Sequence, residues 1–313
     1  MKLLIRYITV LILTWAGTVG AQQLPQYTHY VLNYFQQNPA VAGTKSCLAL
    51  NLGYREQWVG FEGAPKTAFV NLHGKFGESR FNFHGVGALV ETDDTGPLSF
   101  TSVAFAYAYH GRVNRKAMLS FGASVGFMQY RVDLGAITLP QTGTLNDPAL
   151  NQGRSTEFVV PQIDFGMMYY KEDRFIGVTI RQLTRNTLGS VGINSRIQNH
   201  FILAGGKVIK LDGSFTFKPS FNLRYTAQSK PALDITAMMD YSEKVALGIG
   251  LRNGNGVSGL FRVNLYRYID VGYAYDFTVS KIRFDGRHTH ELVLGIKACG
   301  GNEGQAIPCS AYD

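Results

Sequence analysis

Charged side chains recur at positions that alternate with large apolar ones: Arg55, Arg181, Lys218, Arg224, Arg252 and Arg262, and with them Asp164, Asp234, Asp240, Asp270, Asp276 and Glu291. Opposite charges on one face of a sheet either pair and close an interior or line an aqueous path. The spacing leaves both open.

Other chemistry is sparser. His288 and His290 are two apart, so on a strand they share a face where a metal could bind, but no matching third ligand stands out. A hydrolase needs nucleophile, base and orienter at one place. Asp93 and Asp94, expected in a connecting loop, are the nearest acidic pair and read as solvated loop carboxylates. Gly248-Ile249-Gly250 lies in a strand-like stretch with no helix after it, so it is no phosphate cradle. We therefore expect no catalytic residue, no cofactor, no metal and no enzyme activity. Cys47, Cys299 and Cys309 show no CxxC spacing. The two C-terminal cysteines are close enough for a small disulfide loop that leaves Cys47 over; unpaired thiols are the other reading.

The elements that must carry these residues alternate with period two. In 102–109, Val103, Phe105, Tyr107 and Tyr109 oppose Ser102, Ala104, Ala106 and Ala108; in 214–225, Phe215, Phe217, Pro219, Phe221, Leu223 and Tyr225 oppose smaller or polar residues. Large apolar residues on one face and Gly, Ala, Ser and Thr with sparse charges on the other suit a barrel wall more than a sandwich. Such stretches, from 45–55 to 287–298, number about fourteen and reach the roughly 9 to 11 residues that cross a bilayer at a tilt. Their connections alternate: Lys171 to Arg174, Leu211 to Gly213 and Tyr241 to Glu243 are tight, while Tyr54 to Pro65, Arg131 to Glu157 and Thr184 to Arg196 are long. The expected fold is an all-β, transmembrane, antiparallel up-and-down barrel of about fourteen strands.

Composition agrees, with 35 Gly, 20 Phe and 17 Tyr. Lys2 and Arg6, an apolar run and Val19-Gly20-Ala21 read as a cleaved signal peptide over 1–21, giving a mature start at Gln22. No later apolar stretch is long enough for a membrane helix. The formal charge of +8 is scattered singly, which excludes a nucleic-acid patch. Residues 22–44 form an N-terminal arm, periplasmic or tucked into the barrel mouth; 45–298 is the barrel; 299–313 is a C-terminal periplasmic tail. Both termini are expected in the periplasm and the barrel in the outer membrane.

Three segments are more specific. The arm reads Pro25-Gln26-Tyr27 and then Asn38-Pro39-Ala40-Val41-Ala42-Gly43. Proline sets the direction of entry into the first strand, and Gly43 permits a tight turn. The first loop reads Tyr54-Arg55-Glu56-Gln57-Trp58-Val59-Gly60-Phe61-Glu62-Gly63-Ala64-Pro65-Lys66-Thr67. In it Trp58 and Phe61 are rigid anchors, with Gln57, Gly60, Glu62, Gly63 and Pro65 shaping a loop that docks a partner or folds inward to narrow the pore. The competing assignment for Trp58 and Phe61 is the interfacial aromatic belt.

These segments, with Tyr273, Tyr275 and Asp276 and His290-Glu291-Leu292 near the end, resemble the PorP/SprF family of outer-membrane proteins of Bacteroidota; Thr289 stands where that family usually has serine. The specific motifs cover about the first quarter of the mature chain and part of the last. The resemblance implies a role in the type IX secretion system or its gliding-motility branch. Partners would be other envelope proteins of that system, a secreted surface protein as cargo or anchored client, and outer-membrane lipid. A diffusion channel for small solutes is the alternative.

Overall fold

A computed structural model describes residues 24–45, 47–77, 81–133, 156–186, 196–211, 213–227, 229–253, 256–266, 268–278 and 288–298. The expected signal peptide, Gln22, the tail with Cys299 and Cys309, and most of the connection from Arg131 to Glu157 lie outside them.

The alternation has a direct spatial meaning. In β4 (Leu98–Asn114) Ser102, Ala104, Ala106, Ala108 and His110 are buried, while Val103, Phe105, Tyr107 and Tyr109 are exposed, Phe105 at 69 %. Burying the small side and exposing the large apolar one makes sense only with lipid as the outer solvent. The remaining strands are β1 (Leu48–Val59), β2 (Lys66–Phe76), β3 (Asn82–Thr95), β5 (Ala117–Val132), β6 (Thr156–Lys171), β7 (Arg174–Arg181), β8 (His200–Lys207), β9 (Ile209–Lys210), β10 (Phe215–Tyr225), β11 (Ala232–Tyr241), β12 (Val245–Arg252), β13 (Gly256–Leu265), β14 (Ile269–Thr278) and β15 (His288–Ala298).

All pairings are antiparallel, and β15 closes on β1 from Leu48↔Ala298 to Glu56↔His290. Fourteen strands form the ring; β9 is a two-residue continuation of β8 that also pairs with β10. Closure of β15 on β1 leaves the sheet without an open end, which lipid requires.

The rims differ. At the rim where β1 begins and β15 ends, connections are short, as at Ser242-Glu243, both in the left-handed region with φ 52° and 57°. At the opposite rim they run longer, with two exceptions, β3–β4 and β12–β13. Gly96, at φ 55°, turns the chain tightly enough for β3 and β4 to extend to Thr95 and Leu98. Asp93 and Asp94 therefore lie on β3 and not in a loop, and Asp93 accepts hydrogen bonds from Thr67 and Thr95. We call the two ends the turn rim and the loop rim.

Candidate functional site

The lumen is occupied by the chain's own arm. Residues 27–30 and 33–44, apart from half-buried Val31 and Leu32 between them, are buried within the ring. The arm is too short of periodicity to be a strand. It makes one helical turn, α1 (Tyr34–Gln37), and then a 3-10 turn over Pro39–Val41, which the Asn38 side chain caps by accepting from the Ala40 amide at 2.9 Å.

What accommodates this turn is a floor of wall residues without side chains. A Cβ at Gly122 would overlap the backbone of Pro39 and Ala40, one at Gly166 the Asn38 carboxamide, one at Gly177 the Tyr34 hydroxyl, and one at Gly85 the Ala42 carbonyl. Gly43, at φ 78°, comes against Gly85, so that an added Cβ would lie 2.6 Å from the Gly85 Cα. Polar groups then fix the seat. Ser120 donates to Ala40 O at 2.9 Å, His110 Nε2 to Ala42 O at 2.7 Å, and the Gly43 amide to His73 Nδ1 at 3.2 Å. The Tyr170 hydroxyl, 3.0 Å from His110 Nδ1, completes that ring with the tautomer that leaves Nε2 as donor. Higher up, Asn71 donates to Asn33 and Gln36, and Asn222 to Gln37.

At the loop-rim end the arm enters a charged network. Arg55 reaches Glu291 and Asp276, each at 2.7 Å, and its Nη1 also donates to Thr28 Oγ1. Glu291 accepts the Thr28 and His29 amides at 2.7 and 2.8 Å, and Thr28 Oγ1 donates to Asp276. The Tyr27 hydroxyl donates to Glu91, while Gln26 accepts from Arg224 and the Tyr27 carbonyl from Arg252. Each charged residue singled out from the sequence faces inward and has an opposite charge beside it. Arg181 stands near Asp164 and Glu91, Arg224 and Arg252 share Asp234, Lys218 and Arg262 share Asp240, and Lys297 pairs with Asp270. Of the two arrangements the spacing allowed, the charges pair. Cavities between arm and wall are about 10 to 40 Å³, room for single waters or a small group.

Glu91, Lys297, His73 and His110 were missed. Glu91 shares strand parity with Gly85 and Gly87, and Lys297 with Glu291, so counting in twos would have found both.

The arm also changes the expected path of the chain. Residues 24–26 line a cavity with Thr226, Ser229 and Lys230 between β10 and β11, so the described start of the arm is at the loop rim, while β1 starts at the turn rim. The chain thus crosses the lumen before entering the wall. An arm held on the periplasmic side is not what is seen, because Glu291, which receives its amides, sits near the loop rim.

The first loop is a separate lobe. Trp58, at φ 49°, begins a turn in which Phe61 N donates to Trp58 O, and Gly96 N donates to Gly63 O across to the β3–β4 turn. Gly60, Phe61, Glu62 and Gly63 are exposed, Gln57 and Trp58 half-buried and Pro65 buried. The inward-folding alternative for this loop is not realised; the arm fills the lumen. His288 and His290 meet the hydroxyls of Tyr275 and Tyr273 on the outer face, and the described residues contain no group of three metal donors.

Cys47 is disulfide-bonded. Cys47 is therefore not the cysteine left over, and the expected Cys299–Cys309 loop lies outside the described residues.

A closed antiparallel ring with an apolar outer face and a self-filled lumen defines a plugged outer-membrane β-barrel. The sequence from 19 to 296 matches the family described as Type IX secretion system membrane protein PorP/SprF, and the chain belongs to that family. No curated protein matches. Among solved structures, the toluene transporter TbuX of Ralstonia pickettii superposes with TM-score 0.51 at 10 % identity, over 85 % of this chain and 93 % of its own. A FadL homologue of Pseudomonas aeruginosa gives 0.46 at 11 % identity over 88 % and 94 %. Omp33, an outer membrane protein of Acinetobacter baumannii, gives 0.46 at 9 % over 82 % and 100 %. At 10 % identity the likeness to TbuX is one of fold alone.

Proposed function

We propose that this barrel serves type IX secretion as a protein-binding component that helps export or anchor a secreted surface protein. Its partners would be other envelope proteins of the secretion or gliding machinery and that surface protein as client, with outer-membrane lipid around the wall. The observation that carries the reading is the occupied lumen. An arm seated on glycines and tied to Arg55, Glu91, Asp276 and Glu291 leaves, among the described residues, cavities of about 10 to 40 Å³ between arm and wall, which counts against a diffusion channel. The barrel then works through its rims.

With the longer connections outward, the Trp58–Pro65 lobe faces outside and the C-terminal tail the periplasm. Cleavage after Ala21 would leave a mature start only a few residues before Leu24. The role is tested by cross-linking in intact cells and identifying the attached proteins, alongside Trp58→Ala and Phe61→Ala. Barrel yield should stay normal while surface display of the client falls. A barrel that cross-links to no envelope or surface protein, or loss of barrel yield with display unchanged per barrel, would sink the docking role.

A further inference from the structure

The charged network is covered unevenly at the loop rim. On its acidic side the arm supplies donors, with Tyr27 on Glu91, Thr28 on Asp276, and the Thr28 and His29 amides on Glu291. Across from it a cavity of about 40 Å³ opens between residues 24–26 and the loop-rim ends of β7, β8, β10 and β11. Among the described residues its basic lining is Arg181, His200, Arg224 and Lys230, with no carboxylate.

The nearest acids stand behind the arginines and are already engaged. Asp164 lies 3.4 Å from Arg181, and Asp234 is divided between Arg224 at 2.8 Å and Arg252 at 2.7 Å. One carboxylate thus serves two guanidinium groups. Among the described residues, Arg224 Nε and Nη1 are buried without a hydrogen-bond partner. Among the described residues neither the His200 ring nor the exposed Lys230 ammonium has a hydrogen bond or ion pair. Buried unpaired donors on a charged group are costly and are relieved best by an anion.

The geometry points to a carboxylate-binding cradle at the loop rim, made by Arg224, His200 and Lys230 beside the start of the arm, that takes an acidic peptide segment of a partner protein. The cavity holds a carboxylate head and little more. It opens inside the mouth, away from the outer wall where lipid phosphates gather, which favours a peptide. Lys230 at the edge would attract the segment, and the guanidinium would orient it. The inference rests on the reading of the barrel as a protein-binding component.

The test uses the full mature barrel in detergent micelles and calorimetric titration with a tri-glutamate peptide, its tri-glutamine counterpart and inorganic phosphate. Tri-glutamate should bind at least about tenfold tighter than either control, and Lys230→Gln should weaken it about tenfold. Arg224→Gln should weaken it further; Lys230 is exposed, so its variant keeps the test valid if Arg224→Gln does not fold. Equal binding of the glutamine peptide, phosphate binding as tightly as the peptide, or no effect of Lys230→Gln overturns the cradle. Cross-linking to a partner in cells that survives such a result leaves the protein-binding reading standing, so the two failures are distinguishable.

Discussion

The Tyr27 hydroxyl donates to Glu91 Oε1 at 2.5 Å, joining the start of the arm to a carboxylate on β3 that is itself 1 % exposed. The other Glu91 oxygen has no hydrogen-bond donor, only the Arg181 guanidinium at 3.6 Å. Tyr27→Phe keeps the ring against Phe69 and removes the one donor. Leaving a buried carboxylate oxygen unmet costs about 1–3 kcal/mol. The midpoint of unfolding in micelles should fall accordingly, and Tyr27→Phe with unchanged stability would show that the arm is not held there.

Arg55 is the only group that touches Thr28, Asp276 and Glu291 together among the described residues, and it is 2 % exposed. Arg55→Met keeps most of the stem and leaves Glu291 without its cation, and Asp276 with only Arg252 at 3.9 Å. Removing one partner from a buried pair costs about 3–5 kcal/mol. Because Glu291 also holds the Thr28 and His29 amides, the variant should loosen the arm before the wall. Limited proteolysis should then cut the arm while the strands stay protected; equal protection of the arm in both proteins contradicts this.

The wall was legible, and so was an arm held either in the periplasm or in the barrel mouth; the seat of the arm was not, for a physical reason. Strands announce themselves within one segment, because lipid outside and small residues inside impose period two on Val103 to Tyr109 or Phe215 to Tyr225. The inward set of charges follows from that parity. The arm has no such period, and its complement is spread over Gly85, Gly122, Gly166 and Gly177 on four strands, which come together only when the ring closes. Each of these glycines alone reads as ordinary strand composition. The Cys47 bond was missed for the same reason: nearness in sequence favoured Cys299 and Cys309, whereas closure of β1 on β15 brings the two ends of the ring side by side.

The glycine floor makes the plug testable as a plug. A side chain at Gly166 meets the Asn38 carboxamide that caps the 3-10 turn, and one at Gly122 meets the Ala40 backbone. Gly166→Val together with Gly122→Val should cost about 1–3 kcal/mol each and displace the arm, while leaving the outward face of β5 and β6 intact. In planar bilayers the native barrel should be nearly silent and the double variant should show frequent open events. Silence in a correctly folded double variant would mean that the arm is not the barrier.

The direction of the arm predicts an exposed start. An epitope inserted between Gln23 and Leu24 should be reached by antibody on intact cells, because the cavity of residues 24–26 lies beside Thr226, Ser229 and Lys230 at the loop rim. The same epitope added after Asp313 should need permeabilised cells, since Ala298 leaves β15 at the turn rim. Labelling of both only after permeabilisation would mean that the arm reaches the lumen from below.

The register at the seam predicts which cysteines join. Leu48 faces Ala298 on the last described rung between β1 and β15, and the same register carried one residue further would set position 47 opposite position 299. Facing residues of an antiparallel pair have Cα atoms about 4.5–5.5 Å apart, within the range a disulfide spans. Position 309 lies ten residues beyond 299 with no such constraint. Cys47 should therefore be bonded to Cys299, with Cys309 free to react with a thiol reagent. Peptide mapping without reduction decides this directly, and a peptide joining 47 to 309 would refute the register argument. Such a bond closes the ring covalently just where the arm passes into β1, so its loss should be felt at both. Cys47→Ser should lower stability by about 2–5 kcal/mol. It should also raise proteolytic cutting around Lys45, whereas Cys309→Ser should change neither.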